Sequence, residues 1–371
     1  MSLIIAEIGT SHEGSLEKAR LMVDAAADSG ADAIKFQWVY ADEILHPKTG
    51  IVHLPTGDIP LYERFRQLEC PVDLYRQMID YVHSKGCKFC CSPFGLRSLK
   101  ELLSLNPDIL KVASPELNHY PMLKAIAAYR KQQKENGEPM IPVVLSSGVS
   151  RMEDIQKAVD IVGTEGVSLL HCITSYPAPE SEYNLKVIST LKENFGIECG
   201  VSDHSLDPVL VPVLSVACGG TVIEKHITLS RQTMGLDDPV ALEPEPFALM
   251  VHVVHQTEAT LRHYGKDVGL ERTIEQLSEQ FGKEKVLAVM GDGIKKLAPA
   301  EEANYGRTNR SLHYMRAMKK GEVIGADDVA VLRTEKILTP GISPEYLDEV
   351  IGKTLTCDVE DGQGVQKEEL A

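Results

Sequence analysis

The residues of this chain able to do chemistry fall at regular places. Glu7 closes one short apolar run, Lys35 and Gln37 the next, and Ser92 a third, while Lys111, Ser114 and Glu116 end a fourth. Ser146 closes the fifth, and Thr174, Ser175 and Tyr176 follow the sixth. Ser202 and His204 end the seventh, and Lys225 and His226 the eighth. Lysine supplies a point charge and serine an adjustable hydrogen bond, a combination suited to holding a phosphate and a carboxylate. His204 and His226, at the ends of successive runs, could share one divalent ion whose shell water and substrate complete. Singly, a lysine or serine in such a place usually meets solvent or caps a loop. Recurrence at the same end of successive runs is what gives these residues weight.

The runs themselves are residues 3–8, 33–37, 88–92, 109–114, 142–146, 167–172, 198–202 and 221–226, eight candidate strands. Between most of them, stretches such as 16–29, 72–84, 96–105 and 152–162 repeat apolar residues at three- and four-residue spacing, as amphipathic helices do. Eight βα units in succession predict an α/β fold of the closed (β/α)₈ TIM-barrel type, whose chemistry sits where the strands' C-terminal ends meet. Gly30, Gly86 and Gly166 stand between helix and strand, where a left-handed residue ends a helix. Residues 38–70, with His46-Pro47 and Pro55-Thr56-Gly57, read as a long loop over one end of the barrel. After His226 the spacing predicts helices over 246–264 and 273–287 and a polar linker, then a small β-rich module. The expected division is a barrel with helical extension over 1–290, a linker over 291–309 and the module over 310–371.

Composition narrows the partners. At 371 residues, with 43% hydrophobic and 25% charged, the chain has the makings of a barrel plus a smaller unit. A net charge of −16 opposes general attraction to nucleic acid or an anionic membrane. No apolar run is long enough for a signal peptide or a spanning helix, so a cytoplasmic protein with eight free cysteines is expected. The CxxC within Cys87-Lys88-Phe89-Cys90-Cys91 has no second copy and falls on a predicted strand, which favours core packing over zinc or redox work. His252 and His255 have no third ligand near them and read as an ordinary helix surface.

Several ordered motifs together resemble the sialic acid synthase family, which includes the N-acetylneuraminate, legionaminate and pseudaminate synthases. They are Ile4-Ile5-Ala6-Glu7-Ile8-Gly9, Lys35-Phe36-Gln37, Lys111-Val112-Ala113-Ser114, Leu170-His171-Cys172 and Tyr176-Pro177-Ala178-Pro179. Ser202-Asp203-His204-Ser205 and Ile223-Glu224-Lys225-His226 continue the series. Gly341-Ile342-Ser343-Pro344 and Val350-Ile351-Gly352-Lys353 are similar to the family's antifreeze-like, or SAF, domain. The chain departs from the family at Ser11-His12-Glu13-Gly14, Ser92-Pro93-Phe94-Gly95, Pro115, Ser175 and Gly235-Leu236-Asp237-Asp238-Pro239. These substitutions bear on the sugar more than on the reaction.

The resemblance implies a metal-dependent enzyme that condenses phosphoenolpyruvate with an amino-sugar aldehyde, an N-acetylmannosamine-like or 6-deoxy diacetamido hexose, releasing phosphate. It implies that Lys35, Gln37, Ser92, Lys111, Ser114, Ser146 and Ser202 hold phosphoenolpyruvate, and that Glu7 and Glu116 are catalytic. Tyr176, Ser175, Asp237 and Arg310 would contact the sugar, and His204 and His226 would bind a divalent ion, Mn²⁺ before Mg²⁺ or Co²⁺. It further implies a domain-swapped homodimer in which Arg310 serves the partner's sugar. Two other functions fit the same barrel or tail: a class II metal-dependent pyruvate aldolase, which releases no phosphate, and a non-catalytic sugar-binding protein, which needs no lysine–serine cage.

Overall fold

Strand alternation fixes which residues meet at the centre. In β1 (Leu3–Gly9), Ile4, Ala6 and Ile8 join the large outer core, whereas Ile5 joins a separate inner cluster with Ala33, Cys90, Ile109, Val144, Leu170 and Val222. The computed structural model describes residues 1–371 except 55, 56, 234 and 336, with backbone alone for 52–54. The Pro55-Thr56 part of the turn signal therefore lies outside the described residues. After β1 come β2 (Ala33–Trp38), the hairpin β3 (Ile51–Leu54) and β4 (Gly57–Pro60), β5 (Lys88–Pro93), β6 (Ile109–Val112) and β7 (Val143–Ser146). They are followed by β8 (Val167–Cys172), β9 (Glu198–Asp203) and β10 (Val222–His226). Eight strands close in the order β1-β10-β9-β8-β7-β6-β5-β2, every neighbouring pair parallel.

The inner cluster is the barrel's apolar floor. At its β9 position stands Gly200, where a Cβ would come 1.8 Å from the Val222 carbonyl oxygen, so only glycine lets β9 and β10 approach there. Two residues further along each strand, on the same face, come Glu7, Lys35, Ser92, Lys111, Ser146, Cys172, Ser202 and Glu224. One polar layer thus lies directly on one apolar layer, and the polar one opens to the C-terminal mouth.

Helices pack outside, on the core that includes Met22, Val23, Met78, Val82, Ile126, Ile155 and Leu191. The expected helix over 273–287 is instead two, Lys266–Phe281 and Lys283–Met290, because Gly282 at φ 87° leaves the helical region between them. The long second connection is more ordered than a loop: it holds a short helix (Ala41–Ile44), the β3–β4 hairpin and a helix over Leu61–Leu68. The C-terminal module carries its own core of Leu312, Tyr314, Met318, Ile324, Val350, Leu355, Val359 and Val365. Its named strands among the described residues are β11 (Arg310–Tyr314) and β12 (Val329–Arg333), antiparallel; isolated bridges join the rest. Among the described residues no helix is long and apolar enough to cross a membrane.

Candidate active site

The two lysines of the polar layer are each held by a carboxylate. Lys35 pairs with Glu7 and lies 3.3 Å from Glu224, and Lys111 lies 3.4 Å from the same Glu224. Ser202 donates to Glu224 at 3.0 Å, and the Gln37 amide donates to Glu7 at 3.1 Å. All four charged groups are buried. Burial works to raise the Glu224 carboxyl, but Lys111 and Lys35 outweigh it and hold the group down at about 2. Burial depresses Lys35 in turn, with Glu224 opposing. Glu224 was not singled out from the sequence, since only strand ends were considered; its signal was the two-residue spacing from His226, which puts both on the inner face. The same alternation turns Lys225 away from the mouth, where it is buried against Asp203 and the Ser205 carbonyl, both at 2.6 Å.

Around these charges Ser92 Oγ, Ser146 Oγ and Thr174 Oγ1 are buried with no hydrogen-bond partner among the described residues. Buried hydroxyls are normally satisfied, so these unsatisfied ones leave hydrogen-bonding capacity open to a polar ligand. Ser114, on the turn that Pro115 begins after β6, accepts from the Gly148 N–H at 3.0 Å. A Cβ at Gly148 would lie 2.1 Å from Thr174 Oγ1 and 2.8 Å from Ser114 Oγ, so their placement depends on that glycine.

His204 and His226 stand at the rim with ring centroids 5.5 Å apart. His204 Nδ1 bonds the Ile173 carbonyl at 2.8 Å, which places its proton there and makes Nε2 the lone-pair nitrogen of the neutral ring. Burial, aided by His204 and Lys35, pushes His226 well below the ordinary histidine range, so it is a neutral imidazole. Burial works to lower His204, but Cys172 and the Ile173 carbonyl outweigh it and raise the ring, so a divalent ion would have to displace a proton from its Nε2, whereas His226 offers a neutral nitrogen. Among the described residues no group of three or more His, Cys, Asp or Glu side chains forms a fuller cage, so water and substrate would complete the shell. The Tyr176 ring stacks on His204 at 4.2 Å, and the Asp237 carboxylate lies 3.9 Å from His226 Nδ1. Burial lifts the Asp237 carboxyl to about 6. A Cβ on Gly9, whose φ of 53° suits glycine, would meet Glu7, Asp237 and Gln37 side-chain atoms within 3.4 Å, so these three converge on one spot.

Across the mouth, Glu116 is fully buried between two arginines of the C-terminal module. Arg310 Nε pairs with one carboxylate oxygen, and Arg333 donates to the other from Nε at 3.1 Å and Nη2 at 2.5 Å. Burial alone would raise this carboxyl; Arg310 and Arg333 hold it below the usual range. Asn118 adds paired bonds to the Arg310 backbone at 2.8 and 2.9 Å. Arg333 was missed from the sequence, because nothing links it to a glutamate 217 positions away. In the single chain described, Arg310 thus meets its own barrel. Ser175 is the candidate that is not brought in: it is half-buried, and its hydroxyl donates to the Pro177 carbonyl at 3.0 Å. The cysteines carry no disulfide, and Cys90 and Cys91 are core residues.

A model of the NeuB family matches residues 22–266. The chain belongs to the NeuB family. A SAF-domain model matches residues 309–371 of this NeuB-family chain, the stretch that β11 opens. It is 30% identical over 377 residues to an N,N'-diacetyllegionaminic acid synthase of Campylobacter jejuni, covering 99% of both chains. To a pseudaminic acid synthase of the same species it is 29% identical, covering 99% of this chain and 96% of the relative. The crystal structure of the spore coat polysaccharide biosynthesis protein SpsE of Bacillus subtilis superposes with a TM-score of 0.78 at 27% identity, over 100% of this chain and 95% of that one.

Proposed function

We propose that the barrel mouth condenses phosphoenolpyruvate with the aldehyde of an N-acylated amino sugar, forming a nine-carbon sialic-type acid and releasing phosphate. The observation that carries this reading is the layer of Glu7, Lys35, Ser92, Lys111, Ser146, Ser202 and Glu224, with unsatisfied serine hydroxyls beside two buried lysines. Legionaminic and pseudaminic acid synthases of similar length support it.

In this reading Lys35 and Lys111 neutralise the phosphate and carboxylate, and Gln37, Ser92, Ser114, Ser146 and Ser202 fix their orientation. The enol C3 attacks the sugar's aldehyde carbon, water adds at C2, and cleavage of the C2–O bond expels phosphate. Glu7, which touches both Gln37 and Lys35, is the group placed to move a proton at the reacting centre. Glu116, held ionised by two arginines, is a weak proton acceptor and acts as the anchor that seats the module over the mouth. Tyr176 and Asp237 line the acceptor side next to the histidines. His204 and His226 would hold a divalent ion, Mn²⁺ before Mg²⁺ or Co²⁺, which when bound supplies Lewis-acid polarisation of the aldehyde. The reading includes a homodimer that exchanges its modules. It also includes a cytoplasmic setting, which eight free thiols suit, and no nucleic-acid partner at a net charge of −16.

The test is a panel of acceptor hexosamines and pentoses offered with phosphoenolpyruvate and manganese, read by phosphate release and by product mass. Phosphate release coupled to a nine-carbon acid is expected; a product formed from pyruvate without phosphate release would make the enzyme an aldolase. Exhaustive chelation is expected to abolish turnover and manganese to restore it, and His204→Ala or His226→Ala to lower bound metal measured by elemental analysis. Full activity of metal-free protein would remove the ion from the reaction.

A further inference from the structure

We propose that Glu301, on the connection between the barrel and the C-terminal module, is a positioning residue for phosphoenolpyruvate. Its buried carboxylate holds the turn after β7 and the backbone of Thr174 in the shape that receives the substrate. The inference rests on the proposed condensation and gives the connection a part in substrate binding.

The turn runs from Ser146, the last residue of β7, to Val149. Val149 is fully buried and has a φ of 43°. A β-branched residue takes up this left-handed conformation only where its surroundings over-determine it, and such positions gather at functional sites. Here the surroundings come from the connection. Glu301 Oε1 accepts the N–H groups of Val149 and Thr174, both at 2.7 Å. Asn309 Nδ2 donates to the Val149 carbonyl at 2.9 Å, and Lys295 Nζ to the Ser147 carbonyl at 3.0 Å. Three side chains from residues 295–309 thus bind the backbone on both sides of Gly148.

Glu301 is 1% exposed and is itself held in place. It closes a single 3₁₀ turn that Pro299 opens, its Oε2 accepts the Ala298 N–H at 3.2 Å, and Glu182 accepts the Ala300 N–H at 3.0 Å. Two N–H groups converging on one oxygen at this distance are what a carboxylate binds strongly. The groups so held belong to the phosphoenolpyruvate side of the mouth. Ser146 Oγ and Thr174 Oγ1 are two of the hydroxyls open to a ligand, and the Gly148 N–H between them donates to Ser114 Oγ at 3.0 Å. Among the described residues the bonds of Glu301 reach neither Tyr176 nor Asp237, on the acceptor side. A carboxylate that only pinned the connection to the barrel would affect both substrates alike when lost; this one is tied to the site of one of them.

Calorimetric binding of phosphoenolpyruvate to the full-length protein, with steady-state kinetics beside it, tests the assignment. Glu301→Ala is expected to raise the Kd for phosphoenolpyruvate at least about tenfold, with the acceptor KM at saturating phosphoenolpyruvate changed less than about twofold. Glu301→Gln keeps an oxygen for the two N–H groups but turns an amide N–H toward that of Ala298. It is expected to lie between, at about threefold, and serves as the probe if the alanine variant does not fold. Val149→Gly separates position from stability, because glycine takes a positive φ without strain while the buried side chain is lost. Added to either Glu301 variant, it is expected to lower the melting temperature further and yet bring the Kd back toward the wild-type value. A Kd within about twofold of wild type in both Glu301 variants overturns the inference. So do equal rises for both substrates, or a double variant whose affinity falls together with its melting temperature, the mark of a purely structural carboxylate. The binding measurement needs no acceptor sugar. A wild type that binds phosphoenolpyruvate but condenses it with no sugar therefore overturns the functional reading while Glu301 is still tested, and one that binds no phosphoenolpyruvate overturns both.

Discussion

Lys111→Ala is expected to lower kcat/KM for phosphoenolpyruvate by about a hundredfold or more, which is about 2.7 kcal/mol of lost stabilisation. Lys111 is 1% exposed and lies 3.4 Å from Glu224, so its charge acts where water cannot screen it. A trianionic substrate entering this layer meets two lysines already matched by two carboxylates, and loss of either cation leaves the layer net negative. The acceptor KM, measured at saturating phosphoenolpyruvate, is expected to change much less.

The same substitution has a structural cost that must be separated from the catalytic one. Glu224 would keep Lys35 at 3.3 Å and the Ser202 hydroxyl at 3.0 Å, so the loss is smaller than that of breaking an isolated buried pair, about 1–3 kcal/mol. Removing the carboxylate as well, in Lys111→Met with Glu224→Gln, is expected to restore most of the unfolding free energy in denaturant and none of the activity. If activity returned with stability, Lys111 would be a structural residue; an unaltered rate in the single variant would say the same.

Period-two and period-3.6 patterning carried the barrel: each of the eight runs read from the sequence overlaps one observed strand, because apolar residues on alternate positions leave little freedom of face. Polar residues at the strand ends carried most of the mouth by the same rule. What escaped depends on geometry that local sequence does not encode. Glu224 is one position from Lys225 and was eclipsed by it, although alternation sends them to opposite faces. Glu116 looked like an open acid at a strand end, and only the docked module shows it between two arginines. Ser175 sits beside Tyr176 in sequence, yet its hydroxyl is turned back to Pro177. The shift of β6 to an end at Val112 follows from Pro115, whose missing N–H and fixed φ favour the tight turn over further pairing.

Deleting residues 309–371 is expected to leave a folded barrel and to abolish condensation. All eight strands are complete by His226, and the module's core of Leu312, Tyr314 and their neighbours is separate from the barrel's. What the deletion removes from the mouth is both arginines at Glu116, together with the cover they place beside Phe94 and Glu43. A cooperative unfolding transition with no product formation is the expected pair of measurements, and normal turnover by the shortened chain would confine the module to a structural role. Exchange of the module between two chains would make the same Arg310–Glu116 contact from a partner, since a swapped element repeats its contacts. Lys111→Ala and Arg310→Ala, each inactive alone, are then expected to recover up to about a quarter of wild-type activity when mixed in equal amounts and allowed to exchange subunits. Half of the dimers would be hybrids, and one of the two sites in each hybrid would combine an intact Lys111 with an intact Arg310. A mixture that stays inactive while subunit exchange is demonstrated would mean that Arg310 serves its own barrel, the arrangement that Asn118 and Glu116 already complete within one chain.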